Sequence, residues 1–288
     1  MSPFSLISRA RGGALRISIA LLPLLCWTVR PADAQQVIWR GRSGGYDVAW
    51  TDRDITARRA SDGALVFSAR RVADAEWAKM ASDHDEEVQV KEYEQKVRLL
   101  SVVGSIVSVE EASYCDCGGV HPILWTRFVA YDLARSTAAR PHEVRVTDLV
   151  PEAELMRALT ADRLIRQAMD SAHVRSLSSL AALTERLKLT EIQPANDECT
   201  YGIGEDFPKE FALHHLEGGR VAVRFSLPHY VELCRGRMIQ VGVLVAPNAR
   251  LRPDLAAADA RRAGFLMKDQ RASGGDRWTA FNYQPRRR

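Results

Sequence analysis

The chain has 288 residues, of which 46% are hydrophobic, with 40 Lys or Arg against 36 Asp or Glu and five cysteines. Residues 1–34 hold four of the basic residues (Arg9, Arg11, Arg16, Arg30) and only Asp33 among the acidic ones, so the rest carries 36 against 35, a net charge of about +1. That balance gives no support to nucleic-acid binding, and no run beyond residue 34 approaches the roughly 20 apolar residues of a membrane-spanning helix.

The first segment reads as a secretory signal peptide. Three arginines precede the apolar run from Ile17 to Val29, and Ala32-Asp33-Ala34 places small residues at −3 and −1 of a cleavage site after Ala34. The expected location is periplasmic or secreted, with no transmembrane segment in the mature chain. Residues 35–87 form a β-rich region. Tyr46–Trp50, Ile55–Arg58 and Leu65–Ala69 are short β-branched and aromatic runs, punctuated by Gly44-Gly45 and by the hairpin signal Ser61-Asp62-Gly63. A helical turn is expected over 73–80 and a solvated acidic loop over 83–87.

From Val88 to Leu100 apolar and charged residues alternate, which predicts a strand with one wet face. Leu99 to Val109 is more continuously apolar and is expected to lie deeper, with Gly104 as a bulge. Then comes Tyr114-Cys115-Asp116-Cys117-Gly118-Gly119-Val120-His121-Pro122, a glycine-rich turn, and the β run Ile123–Leu133, expected to pair back as a hairpin. Helical spacing follows, with Asp148 as N-cap and Leu155, Leu159, Leu164, Ile165 and Met169 as the buried stripe, and again over 177–189. The chain returns to strands at Phe211–Leu216, Val221–Leu227 and Met238–Val245, then to a short helix over 254–262.

Cys115, Cys117, Cys199 and Cys234 remain after the leader, an even number that predicts disulfides in an exported chain. A Cys115–Cys117 bond would close a very tight loop, so each of the two is expected to pair with Cys199 or Cys234, tying the middle hairpin to the later one. Zinc held by Cys115, Cys117 and His121 is the alternative, although Cys-x-Cys is an uncommon structural-zinc spacing; no metal or cofactor is expected. His214 and His215 are consecutive and on a strand would face opposite sides. From Gly264 to 288 the sequence is basic, polar and glycine-containing, and is expected to be a tail removable without unfolding the core; Trp278, Phe281 and Tyr283 are the residues that run against this.

The order of motifs from about Val88 to Leu255 resembles the C-terminal extracellular domain of the anti-sigma factor RsiV, also found beside the catalytic domain of the peptidoglycan deacetylase PdaC. The matching residues are Gly118-Gly119-Val120-His121-Pro122, Tyr131-Asp132-Leu133, Asp148-Leu149, Phe211-Ala212-Leu213, Gly218-Gly219 and Pro228-His229-Tyr230. The cysteines, Val120 and the region before Val88 depart from that pattern. The resemblance implies an α+β domain, here over 88–263, with an antiparallel sheet, helices packed on one side and an N-terminal β-rich extension. It also implies residence outside the membrane and, in some members, association with peptidoglycan or lysozyme. The expected function is therefore a non-enzymatic envelope module recognising peptidoglycan or an envelope protein through His121, Trp125, Tyr131 and Tyr230. The alternative is a cell-wall hydrolase using His121 with Asp132 or Asp116.

Overall fold

A computed structural model describes residues 35–83, 90–188, 190–194, 197–229 and 234–284. The leader, most of the acidic 83–87 segment, Tyr230 and the terminal arginines lie outside the described residues. From Gln35 onward the chain forms one compact unit, and no described helix is long and apolar enough to cross a membrane.

The protein is α+β, with three antiparallel sheets. β1 (Val37–Ser43), β2 (Tyr46–Thr51), β3 (Ile55–Arg59) and β4 (Leu65–Ser68) form a meander in sequence order, and α1 (Ala69–Asp83) follows directly. α1 is nearly twice the turn expected over 73–80. The central sheet contains β5 (Glu92–Val103), β6 (Ile106–Asp116) and β7 (Ile123–Asp132), joined at the β5 edge by β11 (Thr279–Tyr283). A third sheet holds β8 (Phe211–Glu217), β9 (Arg220–Pro228) and β10 (Met238–Val245).

Side-chain alternation stacks these sheets. Val97, Leu99, Val107, Val109 and Tyr131 point from the central sheet towards Val48, Trp50, Ile55 and Phe67 of the first sheet. Leu100 and Phe128 point the opposite way and meet Ala212 of β8. Neighbouring β8 and β9 residues, Phe211, Leu213, Val223 and Phe225, face a core shared with α2 (Glu152–Ala161), α3 (Arg163–Ser171) and α4 (Leu180–Leu187). Period-two alternation lets one strand serve two cores.

Several local expectations are corrected. Gly104 is not a bulge; at φ +57° it turns the chain between β5 and β6, and the bulge lies between Leu99 and Ser101. Asp148 does not cap a helix but sits in a 3-10 turn, Val146–Asp148, while Pro151 precedes α2. The helical stripe breaks at Asp162, whose carboxylate accepts from the amides of Leu164 and Ile165 and starts α3. Among the described residues no strand lies on the outer side of β7, only an isolated bridge from Tyr131 to Glu143. That edge is covered instead: Val144 N–H donates to Ala130 O, Asp132 N–H to His142 O, and Phe128 N–H to Ser226 Oγ.

The cysteines pair within each hairpin region rather than across them. Cys115 joins Cys117 and Cys199 joins Cys234, with Cα separations of 5.2 and 5.8 Å, inside the normal disulfide range. Residues i and i+2 of a strand point to one face, and β6 ends at Asp116, so the chain can bend enough there for Cys117 to reach back. The expected tie between the two hairpin regions exists, but as hydrogen bonds: Arg235 Nη1 donates to Pro122 O at 3.1 Å and Thr126 Oγ1 to Gly236 O at 3.1 Å. By loop entropy the Cys199–Cys234 bond stabilises the fold by about 4 kcal/mol and the three-residue ring by only about 1.5 kcal/mol.

The segment after Gly264 is not a tail. Phe265 exchanges both backbone hydrogen bonds with Val102, and Gly264, at φ +83°, lies so close to Val102 that a Cβ would collide with its carbonyl. α5 (Arg252–Asp259) and α6 (Gln270–Gly274) lead into β11, which pairs with β5 from Thr279↔Val97 to Tyr283↔Tyr93. Phe265, Leu266, Thr279 and Phe281 are buried, and Trp50 Nε1 donates to Thr279 Oγ1 at 3.1 Å. Thr279, Phe281 and Tyr283 alternate as a short strand, and their burial offsets the cost of ordering the polar linker. A chain ending at Gly264 is expected to lose cooperative urea unfolding, and Phe281→Ala to cost about 3–5 kcal/mol; a truncated chain melting with the full one would refute this.

Candidate functional site

Two constellations bring chemistry-bearing side chains together. The first is a cleft of about 420 Å³ where five stretches of chain meet. Its residues come from the β1–β2 turn (Gly44, Tyr46), the β5–β6 turn (Ser105), the end of β7 (Asp132, Arg135), the crossing segment at His142 and Asp148, and the approach to α5 (Asn248, Arg250, Asp254). Gly104 makes this meeting possible, since a Cβ there would run into the Asp254 carboxylate. Asp132 is fixed: its Oδ1 accepts from Ser105 Oγ at 2.8 Å and from Ala134 N–H at 3.0 Å. Asn248 ties the far wall down, donating Nδ2–H to Asp148 O at 3.0 Å and its amide to Leu149 O at 2.9 Å. Three carboxylates, two guanidinium groups and an imidazole thus line one cleft, whose volume falls in the usual range for small-molecule sites.

The second constellation lies between α1 and the central sheet. Arg127 of β7 donates to Glu111 of β6, its cross-strand partner, at 2.9 Å and to Glu76 of α1 at 3.0 Å. Tyr131 Oη donates to Glu111 at 3.0 Å, and Tyr93 Oη to Glu76 at 3.1 Å. Burial, reinforced by the Glu111 charge and opposed by Arg127, lifts Glu76 to about 6. The Glu111 carboxylate holds Arg127 firmly protonated against the cost of its burial, while burial first, then the charge of Glu111 at Tyr131 and of Glu76 at Tyr93, keeps both tyrosines neutral. Trp77, Tyr93, Trp125 and Tyr283 stack beside this network, with ring centroids 5.7 to 6.2 Å apart. Removing one member would strand a buried charge, which is how a structural ion network behaves.

The expected site residues do not converge. His121 is exposed at the β6–β7 tip, while Asp132 ends the ten-residue β7, so about 30 Å of strand separates them. Asp116 pairs with Lys91 at 3.6 Å. A hydrolase built on His121 with Asp132 therefore lacks its geometry. Tyr131 is 1% exposed and spends its hydroxyl on Glu111, so it cannot stack on a ligand. Trp125 is half-buried in the aromatic stack, and Tyr230 lies outside the described residues. The histidine pair is also corrected. A bulge between Leu213 and His215 turns both rings to one side, leaving the Nδ1 atoms 2.7 Å apart. Burial first, then Arg224 and His215, pull His214 down to about 4. Among the described residues no group of three or more His, Cys, Asp or Glu is placed to hold a metal ion.

Arg135, His142, Arg250, Asp254, Glu76, Glu111 and Arg127 were not singled out by the sequence. Glu110-Glu111 and Arg127, charges inside otherwise apolar strands, are the signal that marks the ion network. No family model, no curated protein and no solved structure matches the chain.

Glu76 at about 6 and Glu210 at about 7 both lie above their ordinary 4.5, in each case chiefly through burial. The folded state therefore holds protons that the unfolded chain releases first, and these groups make stability fall as pH rises from about 4.5 to 7. Glu76→Gln is expected to remove on the order of 2 kcal/mol of that slope between about pH 4.5 and 6, and Glu210→Gln to flatten it up to about 7. Urea midpoints measured across this range check it; identical slopes in wild type and both variants would contradict the assignment.

Proposed function

We propose that this chain is a non-catalytic cell-envelope binding module, periplasmic or secreted, whose cleft takes a short peptide carrying both charges, such as the stem peptide of peptidoglycan. The observation that carries the reading is the meeting of Asp132, Asp148 and Asp254 with Arg135, Arg250 and His142 around one cleft of about 420 Å³. Carboxylates suit an amine and guanidinium groups suit a terminal carboxylate, the two ends of such a peptide. Two motifs of the resemblance to the RsiV-type domain, Tyr131-Asp132-Leu133 and Asp148-Leu149, supply part of this lining. The two disulfides and the leader-like first segment are compatible with an oxidising compartment.

Arg135 and Arg250 are exposed, which makes them the variants of choice. The chain from Gln35 onward is expected to sediment with purified peptidoglycan, and the double variant Arg135→Ala/Arg250→Ala to bind a soluble muropeptide at least about tenfold more weakly at an unchanged melting temperature. The peptide reading fails if the double variant binds undiminished or the wild type stays in the supernatant. Capture of an envelope protein in place of the polymer would move recognition to a protein partner.

A further inference from the structure

We propose that Cys115 and Cys117 form a thiol–disulfide exchange site, with Cys117 as the sulfur that joins a thiol substrate and Cys115 as the resolving sulfur. The two disulfides differ in access. Cys199 and Cys234 are 1% and 2% exposed, whereas Cys117 is half-buried at the start of an exposed tip whose Val120 is 94% exposed. Beyond Cys117 come Gly118 and Gly119, which have no side chains to screen an incoming sulfur.

The roles of the two sulfurs follow from where the backbone holds them. Cys115 is fully buried beside Val90 and Tyr93, and its residue is paired on both sides, with Tyr93 of β5 and Ile123 of β7. Cys117 lies past the last residue of β6. A displaced Cys115 sulfur therefore stays where it was, ready to attack back, while Cys117 is the sulfur a thiolate can reach. The single residue inside the ring, Asp116, would repel an approaching thiolate, and the Lys91 ammonium 3.6 Å from its carboxylate offsets that charge. Opening so short a ring removes little of the fold's stabilisation, so both redox forms remain folded, which reversible exchange requires.

The chemistry balances as two thiols oxidised for one disulfide reduced. A thiolate RS⁻ attacks Cys117 Sγ, the Cys115–Cys117 bond breaks, and Cys115 leaves as a thiolate. A second RS⁻ attacks the substrate sulfur of the mixed disulfide, releasing RSSR and the Cys117 thiolate, and both protein thiolates take protons from water. Run backwards, the dithiol reduces a disulfide RSSR.

Glutathione is the probe. In graded reduced and oxidised glutathione, followed by alkylation and peptide mass mapping, the Cys115–Cys117 bond is expected to open and close reversibly at least about tenfold faster than Cys199–Cys234, with cooperative unfolding retained in the opened form. With oxidised glutathione, Cys115→Ser should collect one glutathione on Cys117, while Cys117→Ser should leave Cys115 unmodified until the chain unfolds. The proposal is overturned if the two disulfides open together, or if Cys115 in Cys117→Ser reacts as readily as Cys117 in Cys115→Ser. The wild-type measurement decides the matter even where a variant misfolds.

Discussion

Leu99–Val103 of β5 and Ile106–Glu111 of β6, in the middle of the central sheet, have no face left for water, and everything else is arranged around that constraint. β5 and β6 bury Val97, Leu99, Val107 and Val109 on one side and Leu100 on the other. A sheet of this kind must be covered twice. The N-terminal meander with α1 provides one cover; the β8–β10 sheet, itself backed by α2–α4, provides the other. The N-terminal region is thus one wall of the domain, sharing a core with Val129, Tyr131, Phe265 and Phe281.

The same arrangement leaves the two ends of the sheet with different chemistry. At the β5–β6 turn, glycines allow backbones to approach closely, and the side chains around them, Asp132, Asp254 and Arg135, are polar and line an open cleft. At the β6–β7 turn the chain is clipped by its own disulfide and braced on the 234–237 loop through Arg235 and Gly236. Between these ends, Arg127 anchors α1 to the sheet by bridging Glu76 and Glu111. Its position in the middle of a strand explains why a long, charged side chain is tolerated there: both carboxylate partners are supplied by neighbouring elements, so no charge is left unpaired.

The strands were legible because their alternation is local. Tyr46–Thr51, Ile123–Asp132, Arg220–Pro228 and Met238–Val245 lie within a residue or two of where β-branched and aromatic residues place them. What was not legible depends on tertiary partners. Whether Cys115 bonds to Cys117 is decided by where β6 stops, and a one-residue bulge after Leu213 decides whether two histidines face together. Composition misread the C-terminal segment because a polar linker such as 268–276 dilutes it, while five alternating residues suffice to add a strand to an open edge. The cleft was invisible for a related reason: its lining is drawn from five separate stretches of chain between Gly44 and Asp254, and of its charged residues only Asp132 and Asp148 stand in motifs, for other reasons.

The hydrogen bond from Trp50 to Thr279 joins residues 229 apart, and Thr279 also bonds back to the carbonyl of Thr51. The core between the first sheet and the central sheet therefore lacks Phe265 and Phe281 until nearly all of the chain has been made. High sequence separation of this kind slows folding and keeps apolar strands uncovered during synthesis. Completion of that core therefore waits for β11, whatever the order in which the sheets are synthesised.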